Sequence, residues 1–179
     1  MPKFVAFLRA VNVGKRKYPM AELREALGAT GFTEVETHIQ TGNVLLRTTM
    51  RSPAKVVEAL EEAMREDRGF EVPVVLLTPA ELAQVAADAE TVRAEQGEPK
   101  WRQYVELLAR EPDPDQVALI EDDGIPGARA FVRPRAVHLL YDVSFGDAKQ
   151  PRAAVGRALG VSTNRNVTVI RTLSEKWTP

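Results

Sequence analysis

The sequence predicts an α+β protein of two tandem β-α-β-β-α-β units. Three observations lead there. Short apolar runs of strand length alternate with longer stretches in which apolar residues recur every three or four positions. Clusters of Gly, Pro and Asn fall between them. The same order of elements is met twice along the 179 residues.

Lys3 to Ala10 is apolar nearly throughout, as in a central strand buried on both faces. Asn12 to Lys17 reads as a loop. Pro19 sits where the first turn of a helix tolerates it, and Met20, Leu23, Ala26 and Leu27 follow at helical spacing. Gly28 and Gly31 end that helix. Glu34 to Ile39 and Val44 to Thr48 are strands joined by the turn residues Gln40-Thr41-Gly42-Asn43, a hairpin. Ser52 caps the next helix, Pro53 opens it, and Val56, Val57, Leu60, Ala63 and Met64 form its apolar stripe. Val72 to Leu77 is a fourth strand. Thr78-Pro79-Ala80-Glu81 is a capping box, followed by Leu82, Val85 and Ala86 on one helix face.

That order is the split βαβ, or ferredoxin-like, unit. Residues 1–89 make the first unit and its following helix. The polar stretch 90–100, with Gly97 and Pro99, reads as a linker, and residues 101–179 as the second unit. There Trp101 to Ala109 is a strand, and Pro112-Asp113-Pro114-Asp115 starts a short helix through Ile120. Asp122-Asp123-Gly124 and Pro126-Gly127 break the chain. Ala128 to Arg133 and Ala136 to Tyr141 are strands around Pro134. Pro151 to Leu159 is a helix stopped by Gly160. Asn166 to Leu173 is the last strand and Ser174 to Pro179 a tail. The halves share no convincing residue identity, so the repeat is one of topology.

Composition excludes several functions. With no Cys there are no disulfides, no thiolate catalysis and no Cys-ligated zinc or iron–sulfur cluster. Two His, at 38 and 138, exclude a His-rich metal site. No run approaches the ~18 apolar residues of a membrane span, and Phe4 to Leu8 is too short for a signal peptide. The expected compartment is the cytoplasm, with no membrane partner and no cofactor.

Net charge is −1, against a generally basic nucleic-acid binder, but the charges segregate. Residues 1–17 carry Lys3, Arg9, Lys15, Arg16 and Lys17 and no acid. Residues 81–123 hold twelve acids and four bases, and residues 124–179 nine bases and three acids. Solvated faces that happen to segregate give this pattern, and so does an anion-binding surface.

The strand order of a ferredoxin-like sheet is 4-1-3-2, with strand 3 antiparallel to strand 1. The end of the first strand then lies beside the start of the third. Asn12 to Lys17 and Thr41-Gly42-Asn43 are expected to converge at one edge, with Gln40 beside them. Backbone N–H groups at Gly14 and Gly42, the helix start near Pro19 and the Lys and Arg side chains would suit a phosphate or carboxylate. The same residues also read as plain turn chemistry. Gly14 and Gly42 supply positive φ, Asn12 and Asn43 bond their own loops, and Lys15 to Lys17 is a solvated run.

These segments also carry a resemblance. Leu8-Arg9-Ala10-Val11-Asn12-Val13-Gly14, then Pro19-Met20 and Leu23, Gly31-Phe32, and Thr37-His38-Ile39-Gln40-Thr41-Gly42-Asn43-Val44 resemble the bacterial domain-of-unknown-function family 1697. Its members read LRGINVGG near the start and TYIQSGNV further on. The match spans residues 4–77. Where the family has Gly-x-Ser-Lys, this chain has Gly146-Asp147-Ala148-Lys149. The closing Thr163-Asn164-Arg165-Asn166-Val167-Thr168-Val169 keeps Arg-Asn and loses the family's Trp-Asn-Thr. The resemblance implies two ferredoxin-like units and no particular activity.

No catalytic set is present in the sequence. Gly14-Lys15 lacks the rest of a P-loop, and there is no G-x-S-x-G or H-E-x-x-H. His38 lies at a strand end near the candidate edge and reads as a base or as a position filler. His138, in an alternating strand, reads as structural. Asp122-Asp123-Gly124 reads as an acidic turn, short of a calcium loop. Phe4 and Phe7 are three apart and point to opposite faces, which disfavours base stacking on the first sheet.

The expected function is binding of an anionic ligand, a nucleotide or a nucleic-acid phosphate. The expected site is Arg9, Asn12, Gly14, Lys15, Arg16, Lys17, Gln40, Thr41, Gly42 and Asn43, with Lys149, Arg165 and Asn166 added from the second unit. The alternatives are an enzyme acting on a phosphorylated small molecule, with Lys15 or Lys17 as electrophilic stabiliser, and a module pairing with another protein through a sheet edge.

Overall fold

The apolar run at the start of the chain sits in the middle of a sheet. In the computed structural model, which describes residues 1–96, 101–122, 124–142 and 151–178, the chain divides into two units, Met1–Ala80 and Glu81–Pro179. The first contains β1 (Lys3–Leu8), α1 (Met20–Ala29), β2 (Thr33–His38), β3 (Asn43–Arg47), α2 (Pro53–Arg68) and β4 (Val74–Leu77). Its sheet order is β2-β3-β1-β4, every pair antiparallel. Phe4, Ala6 and Leu8 share one core with Val44 and Leu46 of β3, Leu23 and Leu27 of α1, and Val56, Leu60 and Met64 of α2. The alternate residues Val5 and Phe7 are buried as well. Neither Phe4 nor Phe7 is a surface platform for a base. Ser52 accepts from the Lys55 N–H at 3.5 Å to start α2, and Gly69, at φ 72°, closes it.

The second unit repeats the topology. After α3 (Pro79–Gln96) come β5 (Arg102–Leu108), α4 (Pro114–Asp122), β6 (Ala128–Arg133), β7 (Ala136–Tyr141), α5 (Ala153–Leu159), β8 (Ser162–Asn166) and α6 (Val167–Trp177). The sheet order is β6-β7-β5-β8, again all antiparallel. Both sheets therefore have the ferredoxin-like order. A reciprocal box starts α4: Gln116 N donates to Asp113 Oδ1 at 2.9 Å, and Asp113 N to Gln116 Oε1 at 3.0 Å.

Two segments differ from the sequence expectation. The stretch read as a linker is helical as far as Gln96, and only 97–100 fall outside the described residues. Its polar residues mask a helix whose buried side is carried by Val85, Ala89 and Val92. Gln103 Nε2 donates to the Ala89 carbonyl at 2.8 Å and Arg93 Nη1 to the Trp101 carbonyl at 2.7 Å, which fastens α3 to the second unit. The other segment is the end of the chain. The strand expected over 166–173 stops at Asn166, and Val167–Trp177 is helix. A run of β-branched residues from Val167 to Ile170 favours a strand locally. Asn166 decides otherwise by accepting the Thr168 N–H at 2.8 Å as an N-cap. Ile170, Leu173 and Trp177 then fall on one face, and all three are buried. No described helix is long and apolar enough to cross a membrane.

His138 lies on β7 between Phe131 of β6 and Val105 of β5, with no exposed surface. Neither ring nitrogen has a hydrogen-bond partner among the described residues. Burial pulls its pKa from 6.5 down to about 4, with the Asp88 carboxylate opposing and Arg133 adding to the shift. The unfolded chain therefore takes up this proton first as pH falls. The stability tied to neutral His138 is complete above pH 6.5 and is lost as pH drops toward 4. The whole effect is about 3 kcal/mol. Denaturant melts over that range should show wild type losing stability more steeply than His138→Gln. Parallel curves would show that the buried ring contributes nothing to acid sensitivity.

Candidate functional site

The convergence expected of the two loops follows from the β1–β3 ladder. Phe7 pairs with Asn43 at its end, and one step on, Leu8 N donates to the Gly42 carbonyl at 2.8 Å. Gly42 has φ 77°, and a Cβ there would lie 2.7 Å from both Leu8 Cβ and Val11 Cγ2. Only Gly permits that approach. Asn43 is fully buried and donates through Nδ2 to the His38 carbonyl (3.0 Å) and Thr41 Oγ1 (3.1 Å), which closes the hairpin turn.

Asn12 joins the two loops. Its Oδ1 accepts from Tyr18 N at 2.8 Å. Its Nδ2 donates to the Tyr18 carbonyl at 2.9 Å and to the Gln40 carbonyl at 2.7 Å. Its backbone, at φ 56°, also bonds the Arg16 carbonyl at 2.7 Å, and Arg16 N returns to the Val13 carbonyl at 3.1 Å. Gly14 turns this loop at φ 58° with open space around it. Ala10 (φ 56°) and Ile39 (φ 52°) are also left-handed, a costly conformation for a β-branched residue. Asn12 and Asn43 thus bond their own loops, as turn chemistry requires, and Asn12 bonds the neighbouring loop as well.

The cations divide into two sets. Arg9, Lys15 and Lys17 are exposed, and none is in an ion pair among the described residues. Arg16 is turned inward. Its Nη2 donates to the Glu71 carbonyl and its guanidinium lies 4.9 Å over the Phe70 ring, so it anchors the loop to the segment between α2 and β4. Gln40 and Thr41 are exposed beside the loop. His38 is half-buried at the end of β2, and its carbonyl serves the Asn43 amide.

Sequence reasoning missed three residues here. Tyr18 is fully buried under the Arg68 guanidinium, 4.5 Å from its ring, and Arg68 is itself paired with Asp67 and Glu22. Burial first, and the Asp67 charge after it, raise the Tyr18 hydroxyl well above its usual pKa. Val13 (65% exposed) and Ile39 (46%) put apolar side chains in water, one on each loop. The position of Tyr18, closing a polar loop against a helix, was the available signal for the first. The other two have none, because exposure is not legible in an isolated Val or Ile.

In the second unit, Arg165 is buried in β8 and donates through Nη1 to Thr163 Oγ1 (2.8 Å) and the Asn164 carbonyl (2.7 Å). Burial lowers its pKa to about 10, partly offset by Glu106. Asn166 is committed to capping α6. Lys149 lies outside the described residues, as does the Gly146-Asp147-Ala148 that precedes it. Among the described residues, no group of His, Asp or Glu is arranged to hold a metal ion.

A family profile described as protein of unknown function (DUF1697) matches residues 1–138. The chain belongs to the DUF1697 family. The structure of a conserved bacterial protein from Streptococcus pneumoniae is similar to this DUF1697 chain. Its TM-score is 0.74 at 25% identity, covering 100% of this chain and 99% of that one. No curated protein matches the chain. The segments Leu8–Gly14 and Thr37–Val44, which carry the family resemblance, are those that Asn12, Gly42 and Asn43 interlock. In this DUF1697 protein the Arg-Asn pair near the end of the chain has a local structural use, the buried Arg165 and the cap Asn166.

Gly42 and Gly14 separate close approach from backbone freedom. Gly42→Ala should cost about 2–4 kcal/mol, from left-handed strain together with overpacking against Leu8 and Val11. Gly14→Ala should cost about 1 kcal/mol, from strain alone. Urea denaturation of both variants checks this. Equal losses would show that the β1 end and the hairpin are not pressed together at Gly42.

Proposed function

We propose that the interlocked edge of the first unit binds a phosphate-bearing anion, a nucleotide or the backbone of a nucleic acid. One observation carries the reading. Arg9, Lys15 and Lys17 stand exposed, without ion pairs among the described residues, on loops that Asn12 holds together. A cation already paired must give up a partner to bind an anion, and these do not. A loop already ordered loses little further entropy on binding. Lys15 and Lys17 supply charge, Arg9 offers a planar donor fork, and Gln40 and Thr41 supply neutral hydrogen-bonding groups beside them. Arg16, held on Glu71 and Phe70, keeps the loop in place and is not a ligand contact. A cytoplasmic location goes with this role, since phosphate ligands of this kind are concentrated there.

Binding should be electrostatic and so sensitive to salt. Three phosphate contacts on a single strand give a log–log salt slope of about −2. The measurement is fluorescence anisotropy of a labelled single-stranded oligonucleotide, competed with ATP and tripolyphosphate, across a salt series. Lys15→Ala/Lys17→Ala should weaken binding roughly tenfold and flatten the slope by about 1.4. Arg16→Ala should act through stability instead. Binding that ignores salt, or that survives loss of both lysines, contradicts the reading.

A further inference from the structure

We propose that the second unit binds a single nucleobase at the β6–β7 end of its sheet. The proposal stands apart from the phosphate reading, because it uses different residues and an uncharged ligand. β6 is an edge strand, and Arg129 and Phe131 lie two apart on one of its faces. The Arg129 guanidinium is 5.4 Å from the centroids of both the Phe131 and Trp101 rings. Its Nη2 donates to Gln96 Oε1 at 2.8 Å, which fixes the plane. Arg129 pairs in register with Leu140, and the Arg102–Tyr141 pair places Trp101 and Asp142 one step further along.

Between these residues lies a cavity of about 210 Å³, bounded by Trp101, Arg129, Leu140, Asp142, Gly127 and Ala128. Gly127 has no side chain to fill it. The space is smaller than the ~300–1,000 Å³ of a drug-sized pocket and suits one planar ring system. Each wall has matching chemistry. Leu140 gives an apolar floor. The indole and the held guanidinium are flat surfaces on which bases stack. Arg129 also offers N–H donors to a ring nitrogen or carbonyl, and Asp142 is an acceptor for a base N–H, the pairing of side chains that reads base edges elsewhere. A simple carboxylate or phosphate would leave the stacking surfaces unused and would meet Asp142. A plain hydrocarbon would leave both charged groups without partners.

The chain's own tryptophans report on the site. There are two, and Trp177 is 1% exposed, so a ligand in the cavity acts on Trp101. Titrating the full chain with guanosine, adenosine, cytidine and uridine, all uncharged, keeps the cationic loops of the first unit out of the readout. The expected result is a saturable change in tryptophan emission with at least one nucleoside. Arg129→Met keeps the stem over the rings, removes the guanidinium plane and should weaken binding about tenfold. Asp142→Asn, an exposed change that leaves the fold alone, should weaken it several-fold. Thermal melts matching wild type confirm that both variants are folded. A linear, non-saturating response to all four nucleosides overturns the proposal. So does saturable binding of wild-type affinity in both variants.

Discussion

The first unit's candidate site depends on one side-chain amide. Asn12 uses both donors and its acceptor, to Tyr18 N, the Tyr18 carbonyl and the Gln40 carbonyl. A typical hydrogen bond of this kind adds about 1 kcal/mol net, and a buried polar group left unmade costs more than that. The larger effect is on entropy. Residues 12 and 40 are far apart in sequence, and the amide makes their two loops one object. Asn is also the residue suited to do this at φ 56°, because its short polar side chain tolerates the left-handed region. Gly42 supplies the steric half of the same junction by letting the hairpin lie against Leu8 and Val11.

From that junction the chemistry follows. The loop that carries the cations is anchored by Asn12 on one side and by Arg16 on the other, and Tyr18 seats its end in the core. What remains outward is Arg9, Lys15 and Lys17, with Val13 and Ile39 as apolar neighbours. Charge and order are the two things the proposed phosphate site needs, and separate residues provide them. The strained φ at Ala10 and Ile39 persists because the surrounding bonds over-determine the backbone.

Much of this was readable from residues alone. The apolar run Lys3–Leu8, the hairpin turn before Asn43, the capped start of α2 and the Pro-Asp start of α4 each combine a local signal with a matching tertiary demand. Where local and tertiary preferences disagreed, the reading failed. Val167 to Ile170 looks like strand, yet a cap at Asn166 and the anchor Trp177 make it helix. Glu90 to Gln96 looks like linker because its one buried residue, Val92, is surrounded by polar ones. Sequence listed four cations and two asparagines at the edge but could not divide them. Whether an Arg faces solvent or a backbone carbonyl depends on what packs beneath it, and Phe70 and Glu71 lie far from Arg16 in the chain.

The most direct measurement is an NMR titration of the full chain with tripolyphosphate, following backbone amides in wild type and in Asn12→Ala. If the two loops form one anion site, amides of residues 12–17 and 40–42 shift together along a single isotherm in wild type. In the variant the shifts weaken and the two loops no longer follow a common curve, although every exposed cation is still present. Shifts confined to one loop in wild type, or an unchanged titration without the Asn12 amide, would contradict a joined site.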